Sequence, residues 1–351
     1  MFNNVFRRFS HHLGIDLGTT NTLIYAKDKG IVAHEASAVA INNRNGQILE
    51  VGKEALKMLG RTPPYIQISQ PLIDGVISDF EVAEKMLKHF IERLGKGNFI
   101  TSSRPRVVIG IPLDITEVEK KAVEDAVLSA GAREVYLVEN AIASAIGARM
   151  PIQDASGNMV IDLGGGITSV SVISLAGVVA WKSLRTAGDE LDQDIVNFAR
   201  EEFNLLIGKR IAEEAKIKLT TIKNLDEAGL IKIRGRDILT GLPKEAAVSG
   251  SQLLQALERS TRIIIDGIKS TLEITPPELI ADIYKHGMTL VGGGALLRNL
   301  DKKIAETVKV PVKIIDDPLT CAVRGMGILL DDENLLKEVT ISPTSEEKKP
   351  Y

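Results

Sequence analysis

The segment Met159-Val-Ile-Asp-Leu-Gly-Gly-Gly-Ile-Thr-Ser-Val-Ser-Val-Ile-Ser174 is the most informative part of the sequence, because a related copy of it occurs near the start of the chain. That copy reads Leu13-Gly-Ile-Asp-Leu-Gly-Thr-Thr-Asn-Thr-Leu-Ile-Tyr-Ala26. In each copy an apolar strand ends in Asp, a tight turn of small residues follows, and the next strand is rich in β-branched residues. This pattern predicts a β-hairpin, and the chain therefore contains a duplicated hairpin.

The two turns are candidate phosphate-binding sites. Their small residues, Gly18–Thr20 and Gly164–Gly166, let the backbone approach a ligand and direct N–H groups at an anion. A carboxylate beside each turn would repel phosphate, so Asp16 and Asp162 are better suited to hold a divalent cation through water. Two such turns facing each other predict a nucleotide bound with magnesium. The alternative is an ordinary glycine-rich hairpin whose Asp caps its own turn, and the repetition favours the phosphate site.

Bulk composition narrows the class of protein. The 351 residues are enough for two domains with full cores, and 44% hydrophobic with 25% charged residues predicts a soluble globular protein. A net charge of -3 gives no electrostatic reason to expect nucleic-acid binding. The single cysteine, Cys321, excludes a disulfide framework and fits a reducing cytosol. No apolar run is long enough to span a bilayer, and the N-terminus does not read as a signal peptide.

Two short segments are candidate membrane contacts. The first ten residues place four apolar side chains at the i, i+3, i+4 and i+7 positions of a basic amphipathic helix, which is typical of a helix lying in a membrane interface. These side chains are Phe2, Val5, Phe6 and Phe9. The alternative is an apolar lead-in packed on the domain. In the glycine-rich loop that follows residue 94, Phe99 and Ile100 are either a loop anchor or a second membrane contact.

The order of elements favours a mainly parallel sheet with helical crossovers. Ser78 with Glu81, and Thr116 with Glu119, each predict a capping box at a helix start. The second half repeats the plan, with a long amphipathic helix predicted over 252–272. A triple glycine, Gly292–Gly294, follows an apolar strand where backbone N–H groups could meet a ligand. Spacing alone reads Glu213 and Lys216 as a surface ion pair.

With these residues laid out, the chain resembles the MreB family of bacterial actin homologues, in the superfamily of actin, Hsp70 and the sugar kinases, over residues 1 to 335. The segments that carry the resemblance are Asp16-Leu-Gly-Thr-Thr-Asn-Thr22, Gly75-Val-Ile-Ser-Asp79, Arg106-Val-Val-Ile-Gly-Ile-Pro112, Asp162-Leu-Gly-Gly-Gly166, Ala187-Gly-Asp-Glu-Leu-Asp192, Thr275-Pro-Pro-Glu-Leu279 and Gly292-Gly-Gly-Ala-Leu-Leu-Arg298. Their common order and spacing make the resemblance specific.

The resemblance implies an actin-like ATPase fold of class α/β, with two RNase-H-like domains flanking a nucleotide cleft and a smaller subdomain inserted in each. The implied division is a membrane helix at 1–10, subdomain IA at 11–31, 75–149 and 325–337, subdomain IB at 32–74, subdomain IIA at 150–187 and 251–324, subdomain IIB at 188–250 and a polar tail at 338–351.

The resemblance also implies roles for individual residues. ATP phosphates would be bound by Gly18, Thr19, Thr20 and Asn21 from one side and by Gly164, Gly165 and Gly166 from the other, with Mg²⁺ held through water by Asp16 and Asp162. Ribose and adenine would be contacted by Glu213, Glu214, Ala215 and Lys216, and the adenosine pocket would be lined by Gly292, Gly293, Gly294 and Ala295.

As a function, the resemblance implies an ATP-dependent cytoskeletal protein that determines rod cell shape. It would form antiparallel double filaments on the inner face of the cell membrane and work with cell-wall elongation and membrane-anchored shape proteins. The alternatives are a sugar kinase of the same fold, which would need a carboxylate base at the acceptor hydroxyl, or a chaperone ATPase, which would need a peptide-binding domain after the last helix.

Two departures from the family pattern bear on hydrolysis. The family usually has a second acidic residue where this chain has Asn140 in Glu139-Asn140-Ala141, and a threonine where this chain has Ile167. In the family these two positions act on the hydrolytic water and the γ phosphate. ATP binding is therefore expected to be retained and hydrolysis to be slow or absent, unless Glu139 acts as a substitute base.

Overall fold

The structure is a computed structural model that describes residues 12–95, 104–221 and 229–341. Both candidate membrane segments, with Phe2, Val5, Phe6, Phe9, Phe99 and Ile100, lie outside the described residues. Among the helices within those ranges, none has the combined length and apolar character needed to cross a membrane.

The strands, in chain order, are β1 (Leu13–Leu17), β2 (Asn21–Ala26), β3 (Gly30–Ala36), β4 (Val39–Asn42), β5 (Gln47–Val51), β6 (Ile66–Ser69), β7 (Leu72–Ile73), β8 (Val76–Ile77), β9 (Arg106–Ile111), β10 (Glu134–Glu139), β11 (Asn158–Leu163), β12 (Thr168–Ser174), β13 (Gly177–Leu184), β14 (Leu205–Leu206), β15 (Ile231–Asp237), β16 (Pro243–Val248), β17 (Met288–Val291) and β18 (Val312–Ile314). The helices are α1 (Lys53–Lys57), α2 (Phe80–Gly95), α3 (Glu117–Ser129), α4 (Asn140–Gly147), α5 (Gly188–Phe203), α6 (Lys209–Thr221), α7 (Gly250–Ala256), α8 (Glu258–Ile274), α9 (Pro277–His286), α10 (Leu300–Val308), α11 (Cys321–Asp331) and α12 (Glu333–Val339).

The chain forms two compact units. The first takes in the described parts of Met1–Val160, Val172–Val179 and Leu319–Tyr351, and the second takes in Ile161–Ser171 and the described parts of Ala180–Pro318. Strands and helices alternate in both, so the predicted α/β class is confirmed. The finer division into four subdomains stays a prediction.

The two five-stranded sheets have the same strand order, which extends the duplication well beyond the hairpins. The first sheet runs β3-β2-β1-β9-β10 and the second runs β13-β12-β11-β17-β18. In the first sheet β1 to β3 form an antiparallel meander, whereas β9 pairs in parallel with both β1 and β10. In the second sheet β17 and β18 are likewise parallel. Each hairpin therefore belongs to a complete repeat of one strand plan.

The first hairpin is anchored in the core of the first unit. In β1, Leu13, Ile15 and Leu17 are buried, and Gly14 is buried as well. A Cβ atom at Gly14 would lie 2.8 Å from the Cβ of Met326 in α11, so only glycine lets this helix pack directly on the strand. A strand that is buried on both faces is held firmly, which positions the turn at its end.

Helices α4 and α11, both in the first unit, are in backbone contact. A Cβ atom at Gly147 would lie 1.9 Å from the carbonyl oxygen of Cys321, and one at Gly325 would lie 1.8 Å from that of Ala143. The Cys321 thiol donates a hydrogen bond to the Ser144 carbonyl oxygen over 3.2 Å. These small residues recur every four positions along each helix, and this spacing places them on the face where the two backbones meet.

Two local predictions were wrong and one is confirmed. Helix α2 begins at Phe80, so its N-cap is Asp79, whose side chain accepts a hydrogen bond from the Val82 amide over 3.1 Å; Ser78 instead donates to a loop carbonyl. The helix predicted over 252–272 is two helices, α7 and α8, that meet at the buried Leu257. The capping box of Thr116 with Glu119 is present as predicted.

We expect Gly325→Ala to lower the stability of the chain by about 2–3 kcal/mol, because the methyl group would meet backbone that cannot move aside without separating α4 from α11. The measurement is the urea midpoint followed by circular dichroism. The control is Gly177→Ala, where the new methyl group would have only ordinary contacts and the change should stay within about 0.5 kcal/mol. Equal midpoints for the two variants would contradict this account of the packing.

Candidate functional site

The first candidate turn, in the first unit, is closed by one backbone hydrogen bond and held by hydroxyl groups. The Gly18 amide donates to the Asn21 carbonyl oxygen over 3.1 Å, and a Cβ atom at Gly18 would lie 2.8 Å from that oxygen. The Ser37 hydroxyl donates to the Gly18 carbonyl oxygen over 2.6 Å. The Thr19 hydroxyl accepts a hydrogen bond from the Gly75 amide over 2.8 Å, so this side chain has a structural role in the turn.

The second candidate turn, in the second unit, is closed in the same way. The Gly164 amide donates to the Ile167 carbonyl oxygen over 3.0 Å, and a Cβ atom at Gly164 would lie 2.8 Å from that oxygen. Glycine is thus required at the first position of each turn by the turn itself. In the described part of the chain, the tip amides of Gly165 and Gly166 donate to no protein acceptor. Gly165 is only partly buried, so its amide is available as a donor for an anion, whereas Gly166 is buried.

The residues that recur in both hairpins divide into buried and accessible ones. The recurring threonines, Thr22 and Thr168, are fully buried; Thr22 bonds to the Ser37 hydroxyl, and Thr168 donates to the Thr186 carbonyl oxygen over 2.7 Å. The recurring carboxylates, Asp16 and Asp162, are only half-buried. The threonines therefore stabilise the hairpins, and the carboxylates stay accessible beside the turns.

The second turn is also held by the first residues of α5. The amides of Gly188 and Asp189 donate to the carbonyl oxygens of Gly164 and Gly165 over 3.1 and 2.8 Å. Amides at a helix start have no partner inside the helix and commonly bind anions or caps. Here two of them bind the turn. A Cβ atom at Gly188 would lie 3.3 Å from the Gly164 carbonyl oxygen, which makes this approach tight for any other residue.

Lys216 is bonded within the second unit, so the interpretation of Glu213 and Lys216 as a surface ion pair is wrong for the lysine. Its ammonium group donates to the Gly188 carbonyl oxygen over 2.7 Å and lies 2.8 Å from Oδ1 of Asp192. Asp192 is buried, and burial raises its pKa to about 6 against the opposing effect of Lys216. The spacing of Glu213 and Lys216 along α6 could not predict this contact, because Asp192 lies on another helix, α5.

The neighbouring residues expected at ribose and adenine differ in exposure. Glu213 is half-buried, Glu214 is exposed and forms an ion pair with Arg210 over 3.1 Å, and Ala215 is buried. Ala295, expected in the adenosine pocket, is also buried. Contact of a nucleotide with Glu213, Glu214, Ala215 and Ala295 stays a prediction.

The triple glycine lies against the Asp162 carboxylate. Gly292 has a φ of 79°, which favours glycine, and a Cβ atom there would lie 2.6 Å from Oδ1 of Asp162. The Gly292 amide donates to the Pro318 carbonyl oxygen over 2.9 Å. Gly293 then opens a short 3₁₀ helix, Gly293–Leu296. Gly292 is thus explained by packing against Asp162 and its strand.

The Asn140 side chain, in the first unit, ends in a buried oxygen that has no hydrogen-bond partner among the described residues. A Cβ atom at Gly110 in β9 would lie 1.8 Å from this oxygen and 2.4 Å from Cε of Met326. Gly110 therefore provides the space for Asn140, and no sequence pattern singled it out. Burial raises the pKa of the adjacent Glu139 carboxyl, with a smaller opposing effect of Lys120.

Binding of magnesium through water is compatible with the chemistry of each aspartate taken by itself. Among the described residues no group of three or more His, Cys, Asp or Glu side chains is arranged to hold a metal directly. Mg²⁺ keeps several of its waters and commonly uses one or two carboxylates together with substrate phosphates. Asp16 in the first unit and Asp162 in the second are each a half-buried carboxylate at the end of a strand beside a turn, which suits that mode.

Comparison with known proteins gives a consistent result. A family model described as MreB/Mbl protein matches residues 10–338. The cell shape-determining protein Mbl of Bacillus subtilis (strain 168) is 47% identical over 95% of this chain and 100% of its own length. The cell shape-determining protein MreB of Escherichia coli (strain K12) is 46% identical over 92% of this chain and 94% of its own.

Solved structures give the same answer for the fold. A crystal structure of MreB5 of Spiroplasma citri bound to ADP has a TM-score of 0.87 and 36% identity, and it covers 94% of this chain and 98% of its own. The structure titled MamK double helical filament has a TM-score of 0.76 at 23% identity, covering 92% of this chain and 99% of that one. The actin-like α/β fold expected from the resemblance is confirmed.

Proposed function

The chain belongs to the MreB/Mbl protein family, and on that premise we propose that it is a cytoskeletal protein that binds ATP with magnesium, polymerises and determines cell shape. The observation that carries the proposal is the pair of turns, each closed by the same bond and each preceded by an accessible aspartate. Relatives named as cell shape-determining proteins support the cytoskeletal role. Structures of MreB5 with ADP and with AMPPNP support nucleotide binding.

We assign the phosphates of ATP to the two turns. The unpartnered amides of Gly165 and Gly166 would donate to phosphate oxygens, with Gly18 to Asn21 contributing from the first hairpin. Asp16 and Asp162 would hold Mg²⁺ through its waters, and the bound ion would neutralise phosphate charge. The half-buried Glu213 is the best placed of the ribose candidates, because Glu214 is exposed and paired with Arg210.

Asp16→Asn and Asp162→Asn are each expected to weaken ATP binding by about tenfold or more in magnesium, since each removes a charge that holds the ion, and to have little effect in EDTA. Titration calorimetry in both buffers measures this. Asp28→Asn, in an exposed turn of the first unit, is the control and should match the natural chain. Unchanged affinity in both site variants would remove the basis of the metal assignment.

Hydrolysis is proposed to be slow. The unpartnered oxygen of Asn140 can accept a hydrogen bond from a water, but an amide cannot take the proton as that water attacks. A positioned base contributes about 10²- to 10⁴-fold to a rate. Ile167 places an apolar group in the second turn where the family has a hydroxyl. The rate losses at Asn140 and Ile167 are not expected to add independently, because in the family both positions act on the same water.

Phosphate release should therefore be slow in the natural chain and should rise at least about tenfold in the double variant Asn140→Glu with Ile167→Thr. The raised pKa of Glu139 makes it a candidate base, so Glu139→Ala is measured beside it. No further loss in Glu139→Ala is expected if Asn140 leaves the site without a base. Rapid release in the natural chain that Glu139→Ala abolishes would show that Glu139 has taken over the role.

Self-assembly and membrane binding are proposed together. We expect antiparallel double filaments on the inner face of the cell membrane, associated with cell-wall elongation and membrane-anchored shape proteins. One amphipathic N-terminus buries its phenylalanines only in part and binds weakly, whereas a filament presents many copies, so each further contact is effectively intramolecular. The structure titled MamK double helical filament supports assembly as a property of this fold.

Liposome pelleting with ATP should drop sharply in the double variant Phe2→Ser with Phe6→Ser, whereas polymer formation without liposomes should be retained. The matched control is Asn3→Ser with Asn4→Ser, which alters the polar face of the same segment. Removing residues 1–10 should have the same effect as the phenylalanine variant. Full pelleting of that truncated chain would refute a role for the N-terminus and leave Phe99 and Ile100 as the remaining candidates.

A further inference from the structure

The second phosphate turn is held by a chain of contacts that ends at a buried ion pair. The carbonyl oxygens of Gly164 and Gly165 accept hydrogen bonds from the first two amides of α5. The carbonyl oxygen of Gly188, in the same helical turn, accepts a hydrogen bond from the ammonium group of Lys216 over 2.7 Å. The partner of that ammonium group is Asp192, one helical turn further along α5. All of these residues belong to the second unit.

The contacts of Lys216 leave it little capacity to bind a ligand. Of the three donors of the ammonium group, one bonds to the Gly188 carbonyl oxygen, and the charge lies 2.8 Å from Oδ1 of Asp192 as an ion pair. Only 17% of the Lys216 side chain and 7% of the Asp192 side chain are exposed, so the pair is largely shielded from solvent. A charge in such surroundings is costly to move away from its partner. Lys216 is therefore fixed by α5.

We propose that Lys216 is a positioning residue for the second phosphate turn, which acts by fixing the start of α5 and through it the carbonyl oxygens of Gly164 and Gly165. Asp192 holds the ammonium group in place. The unpartnered amides of Gly165 and Gly166 are thereby positioned by a residue of α6 that acts through α5. The effect on ligand affinity rests on the proposed nucleotide function, whereas the effect on the turn does not.

The arrangement makes the turn sensitive to pH. The charged groups that face Asp192 are Lys216 and Glu213 from α6 and Asp189 from its own helix. Burial raises the pKa of Asp192 to about 6, Lys216 opposes this, and the two carboxylates add to it. As the pH falls through 6, Asp192 takes up a proton and the ammonium group loses its counter-charge. The turn is held firmly above pH 6 and less firmly below it.

The first test needs no nucleotide. Hydrogen exchange followed by mass spectrometry should show the amides around Gly188 and Asp189 exchanging at least about threefold faster in Lys216→Met than in the natural chain. The control is Lys218→Met, an exposed lysine on the same helix, which should leave exchange there unchanged. Equal exchange in the lysine 216 variant and the natural chain overturns the proposal, whether or not the protein binds ATP.

The second test separates positioning from direct contact with the base. In Lys216→Met, affinity for ATP and ADP should fall by about tenfold, the effect of about one lost hydrogen bond, while affinity for adenosine stays the same. A parallel loss for adenosine would show that Lys216 contacts the nucleoside, which overturns the proposal. Absence of ATP binding by the natural chain would instead refute the proposed function, and the exchange result would stand on its own.

The third test measures how ATP affinity depends on pH. A purely structural role of Asp192 would not change that dependence. Between pH 5.5 and 7.5, the ATP affinity of Asp192→Asn should change only through the titration of ATP itself. At pH 7.5 the affinity of Asp192→Asn should equal the lowered affinity of Lys216→Met. The exposed variant Asp28→Asn should follow the natural chain. If Asp192→Asn also follows the natural chain at every pH, the ion pair does not control the turn.

Discussion

The backbone hydrogen bond that closes each two-residue turn is the constraint on which the rest of the site depends. It joins Gly18 to Asn21 and Gly164 to Ile167 at nearly the same distance, and in both turns a side chain at the glycine would collide with the accepting oxygen. In the second turn the tip amides of Gly165 and Gly166 have no acceptor among the described residues. The carboxylate two residues before the glycine stays beside the tip, and the buried threonine at the start of the second strand secures the hairpin.

The two copies have kept this bond but differ in what supports it. The first turn is supported by hydroxyl groups, since Ser37 bonds to Gly18 and Thr19 bonds to Gly75. The second turn has no residue that can supply a hydroxyl at its tip, and it is supported by the start of α5 and the ion pair behind it. A triple glycine without support would be the more mobile of the two turns, because glycine has the greatest conformational freedom. The ion pair offsets that freedom.

Asn140 shows how a substitution at a reactive position is accommodated. Its buried oxygen is unpartnered among the described residues, and leaving such a group unpaired costs about 1–3 kcal/mol. Gly110 leaves it room, and Met326 of α11 packs against the same space. The close contact of α4 with α11 at Gly147 and Gly325 keeps that arrangement rigid. The position therefore holds a buried polar group that can accept a hydrogen bond, whereas an amide cannot take up a proton as a carboxylate can.

The sequence by itself determined the features that depend on neighbouring residues. The duplicated hairpin and the capping box at Thr116 follow from patterns within a few residues, where turn chemistry and side-chain periodicity act directly. The family resemblance then indicated the fold and the two candidate phosphate-binding turns.

The tertiary structure alone decided the contacts between distant segments. Cys321 and Ser144 meet although they are 177 positions apart, and Lys216 bonds to Gly188 across 28 positions. Spacing assigned Lys216 to Glu213 on its own helix because a local pattern cannot show that a buried aspartate on another helix is a stronger partner. The role of Gly110 also emerged only here, since glycine is required there by the Asn140 side chain that packs against it.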